Sequence, residues 1–172
     1  QIVSSICILP EEIQESSGLL WLDHRLITHN DSGGEPILYE VDTMNCEILR
    51  RVFVENAENV DWEDLAKDET YLYIGDFGNN DGSRNDLKIY CVLIDDYLQQ
   101  DTVSAEVISF NYGDQTDFTP ADLATNFDAE AFVALESSLV IFTKNWLNFY
   151  TDSYRLPKVP GNYTVFREDT FN

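Results

Sequence analysis

The chain has 172 residues, enough for one ordinary domain, taken here as 1–172, and too few for two large ones. Ten Lys and Arg stand against 32 Asp and Glu, and the resulting net charge of −22 excludes a binder of nucleic-acid backbones, which needs a basic face to displace counterions. Aromatic residues at 13% speak against a disordered acidic tail, and no apolar run approaches the roughly 20 residues that span a bilayer.

Strand signals dominate the chain in order: LLWL (19–22), LITHN (26–30), ILYEV (37–41), ILRRVFV (48–54), YLYIGDF (71–77), LKIYCVLI (87–94), EVISFNY (106–112), LVIFT (139–143) and YTVF (163–166). Turn formers separate them, as at Asn30 to Gly34, Gly78 to Gly82 and Pro160 to Asn162. His24 falls in a polar hairpin turn and is expected at the surface. Helical signals are few. Thr119-Pro120-Ala121-Asp122 reads as an N-cap opening a short helix before Asn126, and Asp95 to Gln100 as one more helical turn. Cys7, Cys46 and Cys91 allow one bridge at most, sit in no CxxC or Cys/His cluster, and are read as buried free thiols.

An internal repeat selects among all-β folds. Three segments, opening at Glu15, Glu63 and Glu130, share a glutamate, a short apolar run, a polar turn and a second apolar strand ending in polar residues. The spacings are 48 and 67 residues, the second stretched by a polar insertion around 95–126. A four-stranded propeller blade takes roughly 40–50 residues, so the repeat predicts an all-β chain of about three β-propeller blades, each a four-stranded antiparallel sheet. Propellers close with about four to eight blades, so the expectation includes open edges that pair with missing blades or with a second copy. A face-packed sandwich that mimics the repeat is the alternative.

In a propeller the first strand of each blade lines the channel, so the repeat directs Glu15, Glu63 and Glu130 towards one axis. Asp31 and Asp76 end the second strands of the first two repeats, and D-x-E recurs at Asp61 to Glu63 and at Asp128 to Glu130. Converging carboxylates repel unless a cation lies among them. Hard oxygen donors without Cys or paired His suit Ca²⁺ far better than Zn²⁺, so Glu15, Asp31, Glu63, Asp76 and Glu130 are the expected metal ligands, with Asn30, Asn79 and Asn80 as further oxygens. His29, beside Asn30-Asp31, is a candidate base. Lys144, matched to Asp76 in the repeat, is a candidate to salt-bridge the acids or hold an anionic group. Trp62 is expected to pack between blades. No G-x-S-x-G elbow is present, and Gly75 to Asn80 has too little basic charge nearby to cradle phosphate.

These residues carry a family resemblance. LP-x4-E-x-SGL (9–19), HNDSGG (29–34), DWEDLA (61–66), YIGDFGNN (73–80), R-x-DLKIY (84–90), DAEAF (128–132), TKNW (143–146) and LPKVPGNY (156–163), in that order, resemble the opening of secreted bacterial β-propellers of the phytase-like and SdiA-regulated type. The resemblance implies a six-bladed propeller of which this chain is roughly the first half. It also implies export to the periplasm, cell surface or medium, and Ca²⁺ in or near the channel. By position it points to Glu15, Asp31, Glu63, Asp76, Glu130 and Lys144. Phytase activity is discounted, because a polyanionic substrate needs several Lys and Arg where this chain has acids. The expected function is an extracellular Ca²⁺-binding module for an unidentified ligand or protein, with a Ca²⁺-dependent hydrolase (esterase, lactonase or phosphoesterase) as the alternative.

Overall fold

A computed structural model describes residues 5–172. The strands are β1 (Ser16–Leu22), β2 (Arg25–Asn30), β3 (Ile37–Val41), β4 (Ile48–Val54), β5 (Trp62–Lys67), β6 (Tyr71–Asp76), β7 (Leu87–Leu93), β8 (Thr102–Val103), β9 (Ala105–Tyr112), β10 (Asp128–Ala134), β11 (Ser138–Lys144), β12 (Thr151–Pro157), β13 (Gly161–Val165) and β14 (Arg167–Phe171), with one helix, α1 (Ile94–Gln99). They form three mostly antiparallel sheets, and none closes on itself. The first sheet runs β1-β2-β3-β4-β8, the second β5-β6-β7-β9-β13 and the third β10-β11-β12-β14.

Each sheet is built on a meander whose first hairpin follows the local sequence. Asp23 and His24 both take left-handed φ angles, 44° and 63°, the turn whose twist matches two flanking strands, and His24 lies exposed there. Apolar residues alternate into two main cores, with a smaller cluster of Ile13, Tyr39 and Val41 beside them. One core joins the first and second sheets through Leu22, Ile27, Leu38, Trp62, Leu72 and Tyr97. The other joins the second and third through Tyr73, Phe77, Tyr112, Phe132, Ile141 and Tyr154. The second sheet is thus covered on both faces, and β5 contacts both β1 and β10. Trp62 is fully buried against His29 and Tyr90, as expected of inter-sheet packing.

The structure corrects several expectations. Two of the sheets carry a fifth strand, and it is parallel: β8 pairs with β4, and β13 with β9. The segment 119–126 forms turns and no helix, because it is drawn out by Ala121 N–H donating to the Asp81 carbonyl and Leu123 N–H to that of Asn80. The helical turn near Asp95 is present as α1. Strands β8, β12 and β14 carried no apolar alternation strong enough to be read.

The cysteines divide. Cys91 is a buried free thiol whose burial pushes its pKa up to about 12. Cys7 and Cys46 are bonded to each other, correcting the reading of free thiols. The bridge ties the segment before β1 to the turn between β3 and β4, across 39 positions of sequence. A closed loop of that length restricts the unfolded chain enough to contribute about 4 kcal/mol. Reduction, or the Cys46→Ser change, is therefore expected to lower unfolding free energy by about that amount in urea titrations. Cys91 should stay unreactive to thiol reagents until the chain unfolds.

Candidate metal centre

The connection after β2 is tied to the approach to β5, and this tie builds the site. Asn59 donates through Nδ2 to the Asn30 carbonyl at 3.0 Å and accepts the Trp62 N–H on Oδ1 at 3.2 Å. Ser32 forms an isolated antiparallel bridge with Asp61. Asp31, just past β2, therefore meets Asp61 and Glu63, which flank Trp62 at the start of β5. Ligand-capable oxygens of Asp31, Asp61 and Glu63 all lie within 4.8 Å of one another. Ca²⁺ holds oxygens at about 2.3–2.6 Å, so its ligands fall inside a sphere about 5 Å across, and the trio fits that span.

A bulge sets the geometry. The β5–β6 register shifts between Trp62 and Asp64, leaving Glu63 as the extra residue, and the β10–β11 register shifts between Ala129 and Ala131, leaving Glu130 in the same position. Gly78 lies opposite. A Cβ there would come within 2.3 Å of both Asp61 Oδ2 and Glu63 Oε1, so the two carboxylates close over a backbone position that tolerates no side chain.

The electrostatics set Glu63 apart. Glu40, Asp76 and Asp152 are equally buried, but each receives protein donors. Glu40 is met by Arg50 at 3.1 Å, Arg25 at 3.4 Å and the Tyr97 hydroxyl at 3.0 Å. Asp152 accepts from Asn145, Thr170 and Arg167. Glu63 is buried among Glu130, Asp31, Asp61 and Asp128, and desolvation first, then these like charges, push its pKa up to about 9. Desolvation and Asp31 push Asp61 up to about 7, and the two aspartates are close enough to share a proton.

The other sequence-derived candidates surround this trio. Asp76 is fully buried. Its Oδ1 accepts the Asp61 N–H and Arg84 Nη2, both at 3.1 Å, while Oδ2 has no partner. It positions Asp61 from behind. Glu130 is bound by Lys144 at 2.6 Å, and that ammonium also sits 4.2 Å over the Trp146 ring. Glu15 is exposed and lies outside the trio. Its carbonyl accepts the Asp31 N–H at 2.9 Å, the pairing that Asp128 makes with Lys144. Strand register thus places Glu15 level with Asp61 and Asp128, and Lys144 level with Asp31. That corrects the matches of Glu15 to Glu63 and of Lys144 to Asp76. Among the neutral oxygens, Asn30 donates to the Glu12 carbonyl, Asn79 is buried and joins Asp128 to Arg84, and Asn80 is exposed.

His29 is fully buried with its ring edge on Trp62. Nδ1 donates to the Asn30 carbonyl at 2.8 Å, Nε2 has no partner among the described residues, and burial holds the pKa down at about 4. Neutral and sealed, it has no path to water as a base. Sequence reasoning missed Asp61 as a ligand, Asp128 as the acid that accepts Asn79 N–H and Trp146 Nε1, and Arg84. The repeated D-x-E was the available signal for both aspartates.

No protein-family profile matches the chain, and no curated protein matches it.

The shifted carboxyls give a pH signature. An acid whose folded pKa lies above its unfolded value keeps, between the two, a proton that the unfolded chain has lost, so stability falls as pH rises through that window. For Glu63 the window runs from 4.5 to about 9 and for Asp61 from 3.8 to about 7. Asp68, held low although partly buried, by Lys158 and neighbouring N–H groups, acts oppositely and only as pH falls below 3.8. In chelator, the urea midpoint is expected to drop from pH 6.5 to 8.5, above the window of about 4 to 6.5 in which buried His29 acts oppositely, and Glu63→Gln should flatten the slope.

Proposed function

We propose that the chain is a calcium-binding, extracellular all-β module whose three sheets are arranged as propeller blades, and that its role is binding or scaffolding. The carrying observation is Glu63: a buried carboxylate with two acidic neighbours in ligand range and no protein cation of its own. A bound divalent ion supplies the missing positive charge. Asp31, Asp61 and Glu63 would hold it. Gly78 leaves room for the two carboxylates of the second sheet, and Asp76 with Arg84 fixes Asp61. The donor set is all hard oxygen, which favours Ca²⁺ over softer metals.

The contact of β5 with both β1 and β10 supports the propeller reading, since the leading strands of all three meanders then meet on one side. The Cys7–Cys46 bridge supports an oxidising compartment and so export. Among the described residues no helix is long and apolar enough to cross a membrane. Binding is preferred to hydrolysis because the one histidine near the acids is sealed from water.

At constant ionic strength Ca²⁺ is expected to raise the melting temperature, by the equivalent of about 2.7 kcal/mol at a hundredfold excess over Kd. Mg²⁺ should do less, because it demands tight octahedral geometry and sheds water reluctantly. Glu63→Gln copies the protonated acid without the cost of taking up its proton, so near neutral pH it should raise metal-free stability while removing most of the Ca²⁺ response. Equal shifts from both ions, unaltered in Glu63→Gln, would leave only a solvated acidic cluster.

A further inference from the structure

Two short segments repeat one construction. β8 leaves the second meander after α1, pairs in parallel with the outermost strand of the first sheet, β4, and one residue later the chain becomes β9, the outer strand of the second meander. β13 leaves the third meander after β12, pairs in parallel with β9, and one residue later becomes β14. Both straps end in Thr-Val: Thr102-Val103 and Thr164-Val165. Both valines are buried, opposite Val54 and Tyr112, the last residues of the strands they join. In both, the valine carbonyl accepts the N–H of the residue just past that strand, Glu55 at 3.0 Å and Gly113 at 2.7 Å. Each strap therefore covers a sheet edge and ties neighbouring sheets together.

Among the described residues the third outer strand has no such cover. β14 is the edge strand of its sheet and is exposed along its whole length, so one row of its backbone groups is unpaired. The first meander carries no strap that a second copy could lend. Between β3 and β4 it has a tight turn in which Asp42 N–H donates to the Glu47 carbonyl and Asp42 Oδ1 accepts from Met44, pinned by the Cys7–Cys46 bridge. The two straps present are already paired, and freeing either would uncover another edge.

We propose that the β14 edge is a docking site for an extended Thr-Val strap, pairing in parallel, presented by a further repeat unit of the kind that carries β8 and β13. The interface is the one the chain already makes twice. The occupant is defined by its chemistry: a polar residue followed by a β-branched apolar one whose side chain is buried and whose carbonyl takes the N–H just past the outer strand.

The test is amide hydrogen exchange on the full chain with a millimolar synthetic peptide copying residues 160–167. Exchange within 167–171 is expected to slow at least several-fold, while the β4 edge, already covered, is unaffected. The same peptide carrying Val165→Pro should give no protection. Three results would overturn the proposal. One is exchange in 167–171 unchanged by the peptide. Another is equal protection by the Val165→Pro peptide. The third is slow exchange in β14 without peptide in a chain that sediments as a dimer, which would give the edge to a second copy.

Discussion

The burial of Glu63 without a counter-charge is the constraint around which the centre of this molecule is organised. Taking a lone carboxylate out of water costs several kcal/mol unless it is paired, hydrogen-bonded or protonated. Ten basic residues serve 32 acids here, so cations must be rationed. Arginines reach the equally buried Glu40, Asp76 and Asp152, and among the described residues no basic side chain pairs with Glu63. Glu63 is left with a raised pKa and two acids beside it, the arrangement of a group that waits for a metal or a proton.

The architecture makes that site possible by placing it between two cores. The second sheet is packed on both faces, so the start of β5 is held from the first sheet through Asn59 and Ser32 and from behind through Asp76 and Arg84. On the far side Asn79 N–H donates to Asp128 at 2.8 Å, and Trp146 Nε1 caps the other oxygen at 2.7 Å. Asp76 and Asp128, behind and beside the trio, are thereby fixed by backbone, guanidinium or indole donors. Rigid carboxylates at fixed separation bind a cation of matching radius better than mobile ones, because little ordering entropy remains to be lost on binding.

How much of this was legible follows from what periodicity can carry. The nine apolar runs and the two-residue turn at Asp23-His24 have strong local signals, and each appears in the fold. β8 is two residues long, and β14 is exposed throughout, so neither offers an apolar alternation to read. The Cys7–Cys46 pairing depends on a non-local approach that three cysteines cannot specify. The site was half visible. The D-x-E repeat pointed to the right strands, but alignment by glutamates set Glu15 level with Glu63. The first hairpin spends two residues, Ser17 and Gly18, in its bulge, whereas the second spends one, Glu63. Glu15 precedes that bulge and is level with Asp61, so the bulge position filled by Glu63 in the second sheet holds no carboxylate in the first, and no single-sequence pattern records where a bulge falls. Gly18 is needed there because a Cβ would meet His29 Nε2 at 2.5 Å.

The bulge positions also explain why one junction calls for an outside cation and its neighbour does not. Glu63 and Glu130 occupy the same place in successive sheets, each the extra residue of a first-strand bulge. At the level where the second strand ends, the first sheet offers Asp31 and the third offers Lys144. Lys144 neutralises Glu130 within its own sheet at 2.6 Å. Asp31 instead leans across to Asp61 and Glu63 of the second sheet, adding negative charge where a cation is already wanting. One change of sign at a shared position thus converts an internal ion pair into a three-carboxylate centre. The sheets repeat, but their charges do not, and the acidic trio follows from that asymmetry rather than from a ring of equivalent glutamates.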